Sequence, residues 1–259
     1  MVYENDEWLK LSKGKLFLTN KTQYFHNHSK EILDFNDGII NKFKSALSSE
    51  IEVKTRLKTS GNKTLHGIEA GFLNVQIREL IKNHFTDLKL EVNEKNGVYY
   101  FSSNQEKKQI AGFDFALLNS KNNLIKLRNL CYGELKYSDG SKRWNKFLSK
   151  NPDLEDFANT LVKVEELGEN IPLLDINEPL ILGEIQFGNW GLVYRDFFKL
   201  LKANVQTSVD CLVYVVCTGE LENLLSSSIV TFDKTVSLLK DFSKVINVPI
   251  WVVGLDIKI

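Results

Sequence analysis

The last third of the chain alternates between two hydrophobic periods. Leu180 to Phe187, Cys211 to Cys217 and Ile250 to Asp256 are short, nearly continuous apolar runs. That is the pattern of strands covered on both faces. Between them, Asn189 to Asn204 and Asp233 to Val245 repeat apolar residues at helical spacing. Strand–helix–strand–helix–strand predicts an α/β core. One detail departs from this pattern. In Gly183-Glu184-Ile185-Gln186-Phe187, the two polar residues stand two apart, so both side chains leave the strand on the same face. An otherwise apolar strand with two polar groups on one face has a partner or a use for them.

Upstream the periods are weaker. Residues 1–27 are aromatic and polar without a clear period. Ser29 to Leu47 predicts a helix bent near Gly38, and Gly71 to Phe85 a second one. Leu88 to Val92 and Val98 to Phe101 flank Asn96-Gly97, a hairpin signal. Phe113 to Leu118 and a stretch near Leu130 to Leu135 are further strand candidates. A polar segment from Ser138 to Asp153 and a helix-like run from Leu154 to Leu167 follow. With no repeat and no low-complexity linker, the expectation is one domain over 1–259, carrying an insertion within 102–170.

Composition narrows the function classes. Lys plus Arg equals Asp plus Glu at 33 each, a formal net charge of zero. That argues against a generally basic nucleic-acid coat but leaves a local one open. Lys54, Arg56, Lys58 and Lys63 gather around a Ser-Gly-Asn turn. They are candidates for DNA phosphate contacts, which position a duplex without reading it, or else a solvated charge cluster. Cys131, Cys211 and Cys217 are odd in number and lack zinc-pair spacing; buried free thiols are the expectation. No signal peptide or membrane-length apolar run is present, so a soluble cytoplasmic protein is expected. Nucleotide-binding Gly-rich loops and the His-Glu-x-x-His and Gly-x-Ser-x-Gly motifs are lacking too.

Two arrangements of acidic residues carry possible chemistry. In the first, Asp175 stands nine residues before Glu184, and the two carboxylates with the Ile185 carbonyl suit a hard divalent ion such as Mg²⁺. Such an ion lowers the pKa of an attacking water and offsets charge on a phosphate. Gln186 is no base near neutral pH, but its amide can orient a water or a phosphate oxygen. In the second, Asp114 stands 20 residues before Glu134-Leu135-Lys136, an acidic residue followed by Glu-x-Lys. The plain structural alternative is that Glu184 pairs with Arg195 or a lysine at a sheet edge.

The residues around Glu184 separate these readings. The segment DINEPLILGEIQFGNWGLVYRDFFKLLKANVQTSVD, residues 175–210, resembles the PD-(D/E)XK nucleases and, within them, the BglII/BstYI group of type II restriction endonucleases. The similarity extends through Leu212 to Val216, the Leu224 to Ser228 loop and Pro249 to Asp256, with a weaker match over Thr55 to Arg78. It implies a restriction-endonuclease-like core, a mixed central sheet flanked by helices, in which Asp175, Glu184 and the Ile185 carbonyl hold Mg²⁺, with Gln186 where most of the superfamily has lysine. It further implies in-line attack by water on a phosphodiester, leaving 5′-phosphate and 3′-hydroxyl ends. Asn189, Ser227 and Ser228 fall where the group contacts base edges; an Asn amide can pair with adenine and hydroxyls with either base type. The local alternatives are a helix cap for Asn189 and ordinary loop positions for the serines. A homodimer acting on a palindromic double-stranded DNA site, GATC-centred as in group members, is the implied assembly. Other PD-(D/E)XK nucleases that nick, repair or require modified DNA, and an inactive DNA-binding protein, remain the alternatives.

Overall fold

The three continuous apolar runs lie side by side at the middle of a mixed sheet in the computed structural model. It describes residues 3–259 except 37, 61, 93–111, 164–165 and 176–177. The central strands are β8 (Ile181–Gln186), β9 (Cys211–Cys217) and β10 (Ile250–Lys258), preceded in the chain by β1 (Lys13–Phe17), β2 (Gln23–His26), β3 (Glu50–Glu52), β4 (Thr55–Ser60), β5 (Lys63–Ile68), β6 (Leu88–Val92) and β7 (Phe113–Leu117). The strand order is β3-β1-β10-β9-β8-β7-β6, with β2 also paired to β10. Strands β8, β9 and β10 run parallel, while β7 is antiparallel to β8 and β6 antiparallel to β7. β1 and β2 share one edge of β10, opposite its C-terminal and N-terminal halves respectively. The hairpin β4–β5 forms a separate two-stranded ribbon.

The parallel order follows from the crossovers. α8 (Leu192–Thr207) connects β8 to β9, and α9 (Gly219–Leu224) with α10 (Phe232–Asp241) connects β9 to β10. Val193, Phe197, Leu200 and Ala203 form the buried stripe of α8, packed with Leu182, Leu212, Tyr214 and Val252 on one sheet face. The opposite face, with Phe115, Ile185, Val213 and Trp251, packs on Phe43 of α3 (Ile39–Ala46) and Ile77 of α4 (Ala70–His84). Each such side chain contributes about 1.5–3 kcal/mol by leaving water. The expected bend near Gly38 is a break: α2 (Ser29–Phe35) ends, and Gly38 at φ +80° starts α3. α1 (Asn5–Trp8) closes the N-terminus, where the Trp8 indole donates to the Arg56 and Gly67 carbonyls.

Between β7 and β8 the chain builds a helical layer with its own core. α5 (Ser120–Tyr132), α6 (Gly140–Leu148) and α7 (Glu155–Leu161) enclose Leu124, Leu127, Cys131, Trp144, Phe147 and Leu161. The strand expected near Leu130 to Leu135 is instead the end of α5. The apolar residues Leu124, Leu127 and Cys131 recur at helical spacing, and this longer period overrides the short apolar run. The polar 138–153 segment contains α6, anchored by Trp144 and Phe147. The second arm of the expected Asn96-Gly97 hairpin lies outside the described residues. All three cysteines are free and buried. Among the described residues no helix is long and apolar enough to cross a membrane.

Candidate active site

Glu184 and Gln186 face α8. Their strand outruns its antiparallel neighbour at this end: the β7–β8 register pairs Leu117 with Ile181 and Phe115 with Gly183. One step further, Asp114 stands opposite Glu184. Gly183 allows this close approach, since a Cβ there would lie 2.0 Å from the Phe115 ring. Beyond the last ladder pair the exposed edge of β8 is met by side chains. The Asp114 Oδ2 accepts the Ile185 N–H at 2.7 Å, and the Asn74 amide of α4 donates to the Ile185 carbonyl at 2.9 Å.

On the other side, α8 inserts two charged residues into its apolar stripe. Lys199 donates to Glu184 Oε2 at 2.8 Å and to the Gly112 carbonyl at 2.9 Å, and its ammonium lies 4.4 Å from the centre of the Phe113 ring. Asp196 accepts from the Gln186 amide at 2.6 Å and from the Tyr214 hydroxyl at 3.1 Å, with Arg195 on its second oxygen. The Gln186 carbonyl oxygen accepts the Gly188 N–H at 2.9 Å. Glu184 and Gln186 are each 6% exposed, Lys199 5% and Asp196 1%. The polar pair on the strand is therefore covered by a polar pair on the helix, as buried polar groups require.

Three carboxylates in this pocket meet three cations: Glu184 with Lys199, Asp196 with Arg195 and Asp114 with Arg78. Burial pushes the Glu184 carboxyl up to about 8; the Lys199 ammonium opposes the rise, and Asp114 and Asp196 add to it. Burial also raises Asp114, against the Ile185 N–H and the Arg78 guanidinium. Burial, with Asp196 and Glu184 nearby, lifts the Tyr214 phenol well above its usual value. The Glu184 and Asp114 shifts arise first from burial, and a further cation beside them would oppose both. Asp114, Glu184 and the Ile185 carbonyl make a hard oxygen donor set that fits a divalent ion such as Mg²⁺. Asn74 Oδ1, buried beside them, has no partner among the described residues. Among those residues no three or more His, Cys, Asp or Glu side chains are grouped to hold a metal; the third donor here is backbone.

The model of the family "Restriction endonuclease BglII/BglIII" matches residues 21–255. The chain belongs to the BglII/BglIII restriction endonuclease family. It is thereby a DNA hydrolase of the type II restriction endonuclease kind. Among solved structures it is similar to the crystal structure of restriction endonuclease BglII complexed with a DNA 16-mer. That match has a TM-score of 0.45 at 13% identity and covers 93% of this chain and 75% of the other. No curated protein matches.

Within this endonuclease the structure joins halves of the two acidic arrangements that the sequence offered. Asp114, from the second, is opposite Glu184, from the first. Asp175 is exposed, on an irregular segment, and its neighbour Leu174 is held by two hydrogen bonds to Asn122 in the first turn of α5. That turn follows β7 past the N-terminal end of β8, about 10 Å down the strand from Glu184 at roughly 3.3 Å per residue. Asp114, not Asp175, therefore stands beside Glu184 in the structure. Glu134 and Lys136 are exposed beyond the far end of α5, a helix away from Asp114. The partner of Glu184 is Lys199, while Arg195 pairs with Asp196. Asn74, Asp196 and Lys199 were not among the sequence candidates. A signal for the last two existed: polar residues three apart on the apolar stripe of the helix that follows Glu-x-Gln.

The remaining candidates cluster at the same end of the parallel strands. Asn189 is exposed, and its side chain accepts the Gly191 N–H at 3.0 Å, making a local turn one residue ahead of the α8 N-cap region. Its backbone bridges Ile229, and Trp190 N–H donates to the Ser228 carbonyl at 2.8 Å. Asn189, Ser227 and Ser228 thus sit on two joined loops, both serines exposed and Ser228 at φ +63°. Lys58 is a brace: its ammonium donates to the Asn223 and Leu225 carbonyls, fastening the β4–β5 ribbon to the same loop. Lys54 pairs with Glu69 at 2.7 Å. Arg56 and Lys63 are exposed on the ribbon, without an ion pair among the described residues.

Proposed function

We propose that this endonuclease uses Mg²⁺, held by Asp114, Glu184 and the Ile185 carbonyl, to cleave both strands of a short palindromic duplex, a GATC-centred site being the first to test. The observation that carries this reading is the placement of Asp114: its carboxylate takes the Ile185 N–H and faces Glu184 across the register. When bound, Mg²⁺ supplies activation of a water nucleophile and offsets charge on the phosphate. The chain supplies the geometry. Asn74 fixes the Ile185 carbonyl and α8 fixes Glu184. Gln186, with both ends of its amide committed to Asp196 and Gly188, braces β8 rather than orienting a water or a phosphate oxygen. Cleavage that leaves 5′-phosphate and 3′-hydroxyl ends accords with the family resemblance.

Arg56 and Lys63 contact phosphates, while Asn189, Ser227 and Ser228 reach base edges from loops beside the site. A second copy of the chain completes the two-strand cut. Its contact is the outer face of α8 and the segment after α10, where Tyr194, Phe198, Val205, Phe242 and Val245 expose apolar surface. The experiment is digestion of unmethylated DNA of known sequence with and without Mg²⁺, followed by sequencing of the ends. Discrete double-strand ends at one palindrome that depend on Mg²⁺ support the reading; random fragments or no cleavage overturn it.

A further inference from the structure

The position two residues after the strand glutamate is held by Gln186, whose amide is spent inside the fold: its nitrogen donates to Asp196 and its oxygen accepts from Gly188. No cation comes from the strand. One comes instead from α8, where Lys199, one helical turn after Asp196, reaches the same carboxylate at 2.8 Å. We propose that Lys199 is a positioning residue for cleavage, pinning one oxygen of Glu184 so that the other is presented to the phosphodiester site. This deepens the proposed function and rests on Glu184 acting there.

The geometry separates this role from that of a surface ion pair. The Lys199 side chain is 3% exposed and that of Glu184 8%, so the ammonium lies behind the carboxylate, away from an approaching duplex. The ammonium donates to Glu184 Oε2 and to the Gly112 carbonyl next to β7, and Asp196 lies 3.6 Å away as an ion-pair partner. Gly112 is two residues before Asp114, so one ammonium ties together the ends of both strands that carry the acidic pair. Among the described residues Glu184 Oε1 accepts no hydrogen bond, and it is the oxygen left for the reaction. A mobile carboxylate at this place would sample rotamers that face away from Asp114; held to one geometry, it retains the orientation that catalysis depends on.

Lys199→Met tests this, with Lys199→Gln in its place if the methionine variant does not fold, and Lys199→Arg as the conservative rescue. Duplex binding without divalent ion, followed by fluorescence anisotropy, is expected within twofold of wild type, while the single-turnover cleavage rate at saturating Mg²⁺ falls about a hundredfold. Lys199→Arg, which keeps a cationic donor, recovers at least tenfold of that loss. Calcium affinity measured by calorimetry shifts at least fivefold in Lys199→Met, because the ammonium and the ion share one carboxylate. A folded variant with wild-type cleavage rate and wild-type calcium affinity overturns the positioning role. Glu184→Gln run in parallel separates the two readings. If it cleaves normally, the assignment of Glu184 itself fails; if it is inactive while Lys199→Met cleaves normally, only the role of Lys199 fails.

Discussion

Two fully enclosed cations divide this molecule. Arg128, 0% exposed in the α5–α7 layer, donates to the carbonyls of Leu161, Glu166 and Glu169. Lys199, 5% exposed under β8, is held by the carboxylates of Glu184 and Asp196 and one carbonyl. The first spends its charge on neutral backbone acceptors that end a helix and its following loop, which holds a layer together. The second sits between two acids, and burial pushes the carboxyl of Glu184 toward protonation. A buried charge met by neutral groups fastens a layer, whereas this one lies against the carboxylate proposed to act on the phosphodiester.

The largest effect that would sharpen this contrast is on cleavage. Glu184→Ala and Asp114→Ala are expected to lower the rate by roughly a thousandfold or more, the scale at which loss of a transition-state electrostatic group is felt. Asp175→Ala and Glu134→Ala should stay within twofold of wild type. A gel-based rate assay on a cognate duplex decides it, and an inactive Asp175→Ala with an active Asp114→Ala would reverse the assignment.

The next largest is on stability. Arg128→Met removes the donor from the buried Leu161 carbonyl and from the part-buried carbonyls of Glu166 and Glu169, and should cost about 1–3 kcal/mol, the scale for one unsatisfied buried group. Urea denaturation would show the lowered midpoint, while cleavage per folded molecule stays unchanged. A slowed chemical step in folded Arg128→Met would erase the distinction between the two regions.

A smaller effect is a pH slope. The folded Glu184 carboxyl titrates at about 8 against an ordinary 4.5, so between those values the folded chain holds a proton that the unfolded chain has released. Stability without divalent ion therefore falls as pH rises from about 4.5 through 8, and it levels off above. Asp114, raised in the same direction, adds to the slope. Urea melts in chelator at pH 5, 6.5 and 8 should show the decline, and Glu184→Gln should flatten it; a slope unaffected by that substitution would place its origin elsewhere. The smallest effect is at the ribbon. Arg56→Ala and Lys63→Ala should each weaken DNA binding alike on all sequences and reduce the salt slope by about one, whereas Lys54→Ala, already paired with Glu69, should change it less.

Much of the core was legible in the sequence because its signals are local. Buried parallel strands carry continuous apolar runs, and α8 and α10 repeat Val193, Phe197, Leu200 and Leu238, Leu239 on one side. The family resemblance was carried by that same contiguous stretch and is confirmed over residues 21–255. The α5–α7 layer was harder, since Leu130 to Leu135 reads as a short apolar run when taken alone, and the helical recurrence of Leu124, Leu127 and Cys131 that overrides it begins before that window. Lys58 looked like its basic neighbours, yet it is a fastener. Its two acceptor carbonyls lie more than 160 residues away in the chain, where no local pattern could reveal them.

The sequence by itself determined that Glu184 and Gln186 share a face, because side-chain direction in a strand has a period of two and needs no partner to be known. It also determined the parallel core and, through the residues around them, the nuclease family. Only the tertiary structure brings Asp114 opposite Glu184 and Lys199 onto the same carboxylate. Asp114 lies 70 residues before Glu184, and the layer folded between them makes distance along the chain useless as a guide. Antiparallel pairing of β7 with β8 restores their proximity through a ladder whose register is a property of two strands together. Lys199 is brought in by the packing of α8 on that sheet, so the site exists only where strand register and helix packing coincide.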